Sequence, residues 1–201
     1  GKTYYFSVKA LNNCWLWSAK GISDGITVTG DSTSPAGSLL INSDNQYTNS
    51  SLVNLSLSAE DNPGGTGLDK MRFSNDGISW SGWEAYAEAK SWALTAGDAT
   101  KTVSCQFKDK AGNISSPASD DIILDTTPPT AFAAVDNTPK DVNEQFSFDG
   151  SGSSDNFGIA SYLWDFGDGS PTAGGVNATH QYASPGKYTV TLTITDVAGN
   201  P

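Results

Sequence analysis

Val190-Thr191-Leu192-Thr193-Ile194-Thr195-Asp196-Val197-Ala198-Gly199-Asn200 reads as a strand running into a corner. Val190, Leu192 and Ile194 alternate with threonines, the period of a half-buried β-strand. Asp, Gly and Asn then break the alternation with turn-forming residues. The same design occurs as Val103-Ser104-Cys105-Gln106-Phe107-Lys108-Asp109-Lys110-Ala111-Gly112-Asn113, and more loosely as Tyr5-Phe6-Ser7-Val8-Lys9-Ala10-Leu11-Asn12-Asn13. The closing asparagines Asn13, Asn113 and Asn200 stand 100 and 87 residues apart. A single β-sandwich domain takes roughly 100 residues.

The repeat predicts an all-β chain of tandem immunoglobulin-like β-sandwiches, with the corner lying between the last two strands of each. On that phase, residues 1–36 are the last two strands of a first sandwich and 38–126 a complete second. Residues 127–201 are a third lacking its final strand, so the first and last are incomplete. Two Pro-bearing breaks mark the joints, Asp31-Ser32-Thr33-Ser34-Pro35 and Asp125-Thr126-Thr127-Pro128-Pro129. Prolines fix φ and lack an N–H donor, so such linkers are stiff and stay out of a ladder.

Composition agrees. Hydrophobic residues make up 37% of 201, including six Trp, seven Tyr and eight Phe, enough to fill sandwich cores. The net charge of −11 argues against a nucleic-acid backbone as partner and fits a solvated acidic surface or carboxylates that hold calcium. No stretch has the apolar length of a membrane span. Cys105 shares the alternation of Val103 and Phe107 and is expected as a buried thiol. Whether it pairs with Cys14, in the first corner, is a question of geometry.

In the middle unit Val53, Leu55, Leu57 and Ala59 alternate with polar residues, and Met71 and Phe73 face the same core. Asn75-Asp76-Gly77 marks a hairpin. Trp80, Trp83, Tyr86 and Trp92 supply aromatic surface, either as core or as a platform for sugar rings. Glu84–Lys90 carries the single hint of a helical turn.

Ser161-Tyr162-Leu163-Trp164-Asp165-Phe166-Gly167-Asp168-Gly169-Ser170, then His180-Gln181-Tyr182 and Pro185-Gly186-Lys187-Tyr188-Thr189-Val190-Thr191-Leu192, resemble the PKD (polycystic kidney disease) domain. Phe146-Ser147-Phe148-Asp149-Gly150-Ser151 matches its second strand. Residues 1–30 resemble the tail of a fibronectin type III domain, and 38–126 the Ig-like repeats of bacterial and archaeal surface proteins. Trp164 alternates with Tyr162 and Phe166 and is expected at the sandwich centre. His180 is expected as a structural hydrogen-bonding residue.

Catalytic machinery is not legible here. One histidine cannot assemble a Ser-His-Asp set, and two distant cysteines do not make a zinc site. Calcium is the one cofactor the residues point to, since it takes several carboxylate, amide and carbonyl oxygens from loops. The resemblance places a calcium loop at Asp155 and Asn156, with Asp136 and Asn137 expected to converge on it. Asp125 is expected to bridge a further site with Asp61 or Asp109. Asn49, Asn54, Asn113 and Asn177 each open an N-x-Ser/Thr sequon, a candidate glycosylation site.

Strings of such modules imply a non-catalytic segment of a multidomain extracellular or cell-surface protein. They would serve as stalk, filament, surface-layer or adhesion modules. The alternative is a set of accessory modules that position a secreted polysaccharide- or protein-degrading hydrolase, with Trp15, Trp17, Trp80 and Trp83 as the binding platform. Expected partners are other domains of the same longer chain, neighbouring subunits of a filament or surface layer, or polysaccharide. The strand absent from the third sandwich would come from the continuing chain or from a neighbour.

Overall fold

The computed structural model describes residues 30–136 and 138–201 in full and, as backbone alone, 2–4, 7–8, 21–22 and 26–28. At the start, β1 (Lys2–Tyr4), β2 (Ser7–Val8), β3 (Gly21–Ile22) and β4 (Ile26–Val28) pair antiparallel, β1 with β4 and β2 with β3. The corner of that hairpin, with Cys14, Trp15 and Trp17, lies outside the described residues.

Eight strands follow: β5 (Ala36–Ile41), β6 (Tyr47–Thr48), β7 (Leu52–Glu60), β8 (Leu68–Ser74), β9 (Glu84–Ala85), β10 (Ala89–Ala93), β11 (Ala99–Asp109) and β12 (Ala118–Leu124). They form a three-stranded sheet, β10-β7-β5, and a five-stranded sheet, β6-β12-β11-β8-β9. Alternate residues of both sheets meet in one core. Val53, Leu55 and Leu57 of β7 face Met71 and Phe73 of β8, Val103, Cys105 and Phe107 of β11, and Ile122 and Leu124 of β12. Burying these alternating apolar faces is the main force holding the sheets together. Cys105 is fully buried, and that burial pushes its thiol up to about 12.

Glu84–Lys90 is not a helical turn. Its ends enter β9 and β10, where Glu84 pairs with Met71 and Lys90 with Leu55. Between them the Tyr86 amide donates to the Asp69 carbonyl at 3.0 Å, and Leu57 donates to Glu88 at 2.8 Å. Seven residues are too few to sustain a helix in isolation, and cross-strand bonds decide the conformation.

The last part of the chain has six strands: β13 (Ala134–Val135), β14 (Gln145–Asp149), β15 (Ile159–Asp165), β16 (Ala173–Gly174), β17 (Asn177–Gln181) and β18 (Thr191–Asp196). Sheets β13-β14-β17 and β16-β15-β18 pack over Phe148, Trp164, Phe166, Ala178 and Tyr182. Trp164 is fully buried, 5.6 Å from Phe148 between ring centroids, and its indole N–H donates to the Gly175 carbonyl at 3.0 Å. His180 stacks on Phe166 at 4.1 Å, with Nε2 2.8 Å from Asp168 Oδ2, a structural setting for this ring. The sheets are all-β throughout the described residues, none of which forms a helix long and apolar enough to cross a membrane.

The two larger cores meet at a tethered linker. On one side Asp98 accepts from the Thr126 amide and hydroxyl at 2.9 and 2.8 Å, and from the Thr127 hydroxyl at 2.5 Å. On the other side Asn156 and Asn200 both donate to Asp125. Neither side of this joint is left to water alone.

Candidate cation sites at the linkers

The corner that repeats in the sequence is a clamp. In β11's corner, Asp109 Oδ1 accepts from the Asn113 backbone amide at 2.8 Å, and Oδ2 accepts from the Asn113 side chain at 2.7 Å. In β18's corner, Asp196 makes the same two bonds to Asn200, each at 2.8 Å. Gly112 and Gly199 sit at φ +97° and +93°, a conformation that Gly reaches without a Cβ penalty. This geometry turns each Asp inward beside the linker that leads into its own unit.

Two carboxylate triads result. Asp31, Asp61 and Asp109 bring one oxygen each within 4.8 Å of one another, as do Asp125, Asp155 and Asp196. The triads are copies: Asp31 and Asp125 lie 94 residues apart, as do Asp61 and Asp155, and Asp109 and Asp196 lie 87 apart. Each takes one residue from the linker, one from a glycine- or serine-rich loop and one from the corner.

The two copies differ in how their oxygens are satisfied. At the first, Asp31 Oδ2 accepts from the Thr66 amide and hydroxyl at 3.0 and 3.2 Å, and Asp61 Oδ2 from the Gly67 amide at 2.6 Å. The Thr66 and Thr33 amides hold the Asp31 carboxyl below the usual carboxylate range. At the second, Asp155 Oδ1 accepts from Phe157 and Gly158 at 2.9 and 2.7 Å, but Asp155 Oδ2 and Asp125 Oδ2 are buried and accept from nothing among the described residues. Asp125 is 0% exposed. Burial pushes its carboxyl up, Asn156 and Thr127 pull the other way, and the charges of Asp155 and Asp196 add to the push.

Buried carboxylate oxygens without donors are costly unless protonated or matched by a positive charge. Three converging carboxylates are oxygen donors of the kind a hard cation such as calcium takes. The residues at the second triad fit such an ion.

Asp155 and Asn156 stand at the second triad, Asn156 donating to Asp125 Oδ1 at 3.1 Å. Asp136 does not join them. It is held by Lys140 Nζ at 2.8 Å and by the Thr138 hydroxyl at 2.9 Å, while Asn137 lies outside the described residues. Asp125 groups with neither Asp61 nor Asp109, which belong with Asp31 instead. The linker residue serves the unit that follows it, so it meets that unit's loop and corner. Asp31 and Asp196 are absent from the sequence reading of the sites, although the 94-residue spacing of Asp61 and Asp155 leads from Asp125 to Asp31, and the 87-residue spacing of the corners leads from Asp109 to Asp196.

The remaining predicted surfaces divide. Trp80 and Trp83 are half-buried and sandwich Arg72, whose Cζ lies 4.9 and 4.5 Å from their ring centroids, and Lys108 Nζ sits 4.6 Å from Trp83. Cations therefore lie over these indole faces. Among the sequons, Asn49, Asn54 and Asn177 are exposed. Asn113 is half-buried, its amide already donating to Asp109 and to the Asp31 carbonyl.

Comparison with known proteins places the last part of the chain. A family model described as PKD domain matches residues 126–201. The chain is 47% identical over 64 residues to the microbial collagenase of Vibrio alginolyticus, covering 31% of this chain and 8% of that protein. It is 48% identical over 59 residues to collagenase ColA of Bacillus cereus, covering 29% of this chain and 6% of that protein. Collagenase ColA of Clostridium perfringens gives the same identity over the same length, with 5% of that protein covered. Among solved structures, the fibronectin(III)-like modules of Clostridium thermocellum CbhA align over 81% of this chain and 87% of theirs, at a TM-score of 0.48 and 14% identity. That likeness is too loose to bear on function.

Proposed function

With residues 126–201 a PKD domain, we propose that the chain is a non-catalytic run of spacer modules from a multidomain extracellular protein. Its modules are residues 1–36, 38–126 and 127–201, joined end to end as a stalk, filament or surface layer. The observation that carries this reading is the doubly held linker, with Asp98 gripping Thr126 and Thr127 from one side and Asn156 and Asn200 gripping Asp125 from the other. A tethered, proline-bearing joint transmits orientation, whereas a free linker does not. Small-angle scattering of the whole chain tests it. The expected profile fits one fixed arrangement, and a broad distribution of arrangements would remove the spacer role.

Calcium belongs to this proposal as the ion that completes the joints. At the second triad Asp125, Asp155 and Asp196 would hold it, neutralising the two donorless oxygens, and Asp31, Asp61 and Asp109 would form the twin site. The ion would supply charge and cross-linking, with no reaction attached. Adding calcium to metal-free chain is expected to raise Tm, a chelator to reverse the rise, and Asp125→Asn to abolish most of it. No response of Tm to calcium in the unaltered chain sinks the proposal.

The relatives' names favour a second reading, as accessory modules of a secreted hydrolase. The chain spans 5% to 8% of the length of these three collagenases, so their activity cannot simply be transferred. Retention of the chain on insoluble collagen, cellulose or chitin would support that reading over a plain spacer.

A further inference from the structure

The outer face of the five-stranded sheet gathers positive charge in a chain whose net charge is −11. Met71 and Phe73 of β8 and Cys105 and Phe107 of β11 point into the core. Lys70, Arg72, Gln106 and Lys108 therefore stand on the opposite face, each half-buried. The register sets Lys70 directly across from Lys108, and Arg72 across from Gln106. Like charges directly opposite one another destabilise a strand pair. The chain has 22 acidic residues, yet among the described residues carboxylates pair with Lys90 and Lys140 and with none of these three cations. Glu84, next to Trp83 in sequence, is drawn away to Lys90 at 2.7 Å.

The surroundings orient these charges without neutralising them. Arg72 Nε and Nη2 both donate to Gln106 Oε1, an uncharged oxygen, at 2.9 and 2.6 Å. Gln106 is itself anchored, its Nε2 donating to the Ser115 carbonyl at 3.1 Å. Trp80 and Trp83 lie against the guanidinium, and Trp83 also against the Lys108 ammonium. Such contacts hold a cation in place and leave its charge intact. The indole N–H groups of Trp92 and Trp164 donate to Asn75 and Gly175, whereas those of Trp80 and Trp83 have no acceptor among the described residues. Nη1 of Arg72 is likewise free there. A fixed guanidinium with a free edge matches the two oxygens of a carboxylate.

We propose that this face binds an acidic polysaccharide, one whose sugar rings carry carboxylates. Arg72 and the two opposed lysines take the carboxylates, and the charge between them falls as the polymer seats. Trp80 and Trp83 offer apolar ring edges to the sugar and N–H groups to its hydroxyls. A neutral sugar finds those indole faces already occupied by cations. The contact suits a spacer as well as an accessory module. Binding of neutral polymer alone would overturn it while leaving the accessory reading standing.

The probe is polygalacturonate, with its fully methyl-esterified form as the same sugar stripped of charge. Each is titrated into the whole chain by calorimetry, beside vesicles containing phosphatidylserine. Saturable binding of the acid form is expected, weakening as salt rises, with the ester at least about tenfold weaker. That comparison uses the unaltered chain and needs no variant to fold. The chain carrying Lys70→Gln and Lys108→Gln should also bind at least about tenfold more weakly. Its Tm should equal or exceed the parent's, because the opposed charges are gone. Lys101→Gln with Lys187→Gln makes the same change in net charge elsewhere and should bind as the parent does. No saturation up to about 1 mM, equal binding of the ester, equal loss in both variants, or tighter binding to the vesicles would each overturn the proposal.

Discussion

Asn200 donates its side-chain amide to the backbone carbonyl of Asp125 at 2.9 Å, and Asn113 donates likewise to Asp31 at 3.3 Å. The corner asparagine therefore ties the last turn of each unit to the linker that opens it. The same amide also holds the corner aspartate, so one residue sets both the corner and the joint. Removing it should cost more than a surface hydrogen bond. Asn200→Ala leaves Asp196 Oδ2 and the Asp125 carbonyl short of a donor and is expected to destabilise this unit by about 1–2 kcal/mol. Urea denaturation followed by tryptophan fluorescence checks the value, and an unchanged midpoint would show that the clamp is dispensable.

The acid limb of stability should carry a contribution from Asp136. Lys140 first, then the Thr138 hydroxyl and amide, hold this carboxyl down to about 2, against an ordinary 3.8. In the unfolded chain the group takes up its proton near that ordinary value, so the unfolded state binds more protons between about 4 and 2. Its contribution is complete above that window and is lost as pH falls through it. Asp136→Asn should flatten the fall of the urea midpoint across this range, while leaving the slope above pH 5 as it was. A variant with the same acid profile as the parent would assign the fall to other carboxylates.

The sequence was most legible where a period was repeated. Val53, Leu55 and Leu57 alternate in β7, and all three are buried. Trp164 and Phe166 are buried as their alternation requires, and the corners at Asp109 and Asp196 share one hydrogen-bond pattern. Partnership across sequence distance was less legible. Asp136 stands near the linker in sequence, yet a lysine four residues on captures it. Asp125 was matched to the preceding unit, although its neighbours come from loops of the following one. Trp80 and Trp83 read equally as core or as an aromatic platform, because no local pattern reveals that Arg72 of the preceding strand β8 lies against both rings.

Trp164 offers a test of how the last core is held. Its ring fills the space against Phe148, and its N–H satisfies the Gly175 carbonyl. Trp164→Phe keeps an aromatic ring but loses that bond and leaves a gap in a close-packed site. A destabilisation of about 1–3 kcal/mol is expected, the larger end if the core cannot relax. Thermal unfolding by calorimetry should show the transition of this unit moving down while that of the middle unit, with a core of its own, stays in place.

Asp98 is the test of the joint itself. Its two oxygens collect three bonds from Thr126 and Thr127, and the segment it holds leads directly to the consecutive prolines. Asp98 reaches neither main core, so Asp98→Ala should leave the folding of both units nearly unchanged. It should instead free the linker on the middle-unit side, leaving the Asn156 and Asn200 contacts as the tether on the other side. The expected signature is a broadened distance distribution between spin labels on the exposed positions Asn45 and Thr172, both changed to cysteine, in a chain whose Cys14 is changed to serine and whose Cys105 is protected by its burial. If the distribution stays as narrow as in the parent, the prolines alone fix the joint and the threonine contacts merely decorate it. The outcome thus separates stiffness built by backbone restriction from stiffness built by side chains, which have different responses to acid because Asp98's carboxyl is held below its usual range, first by the Thr127 hydroxyl.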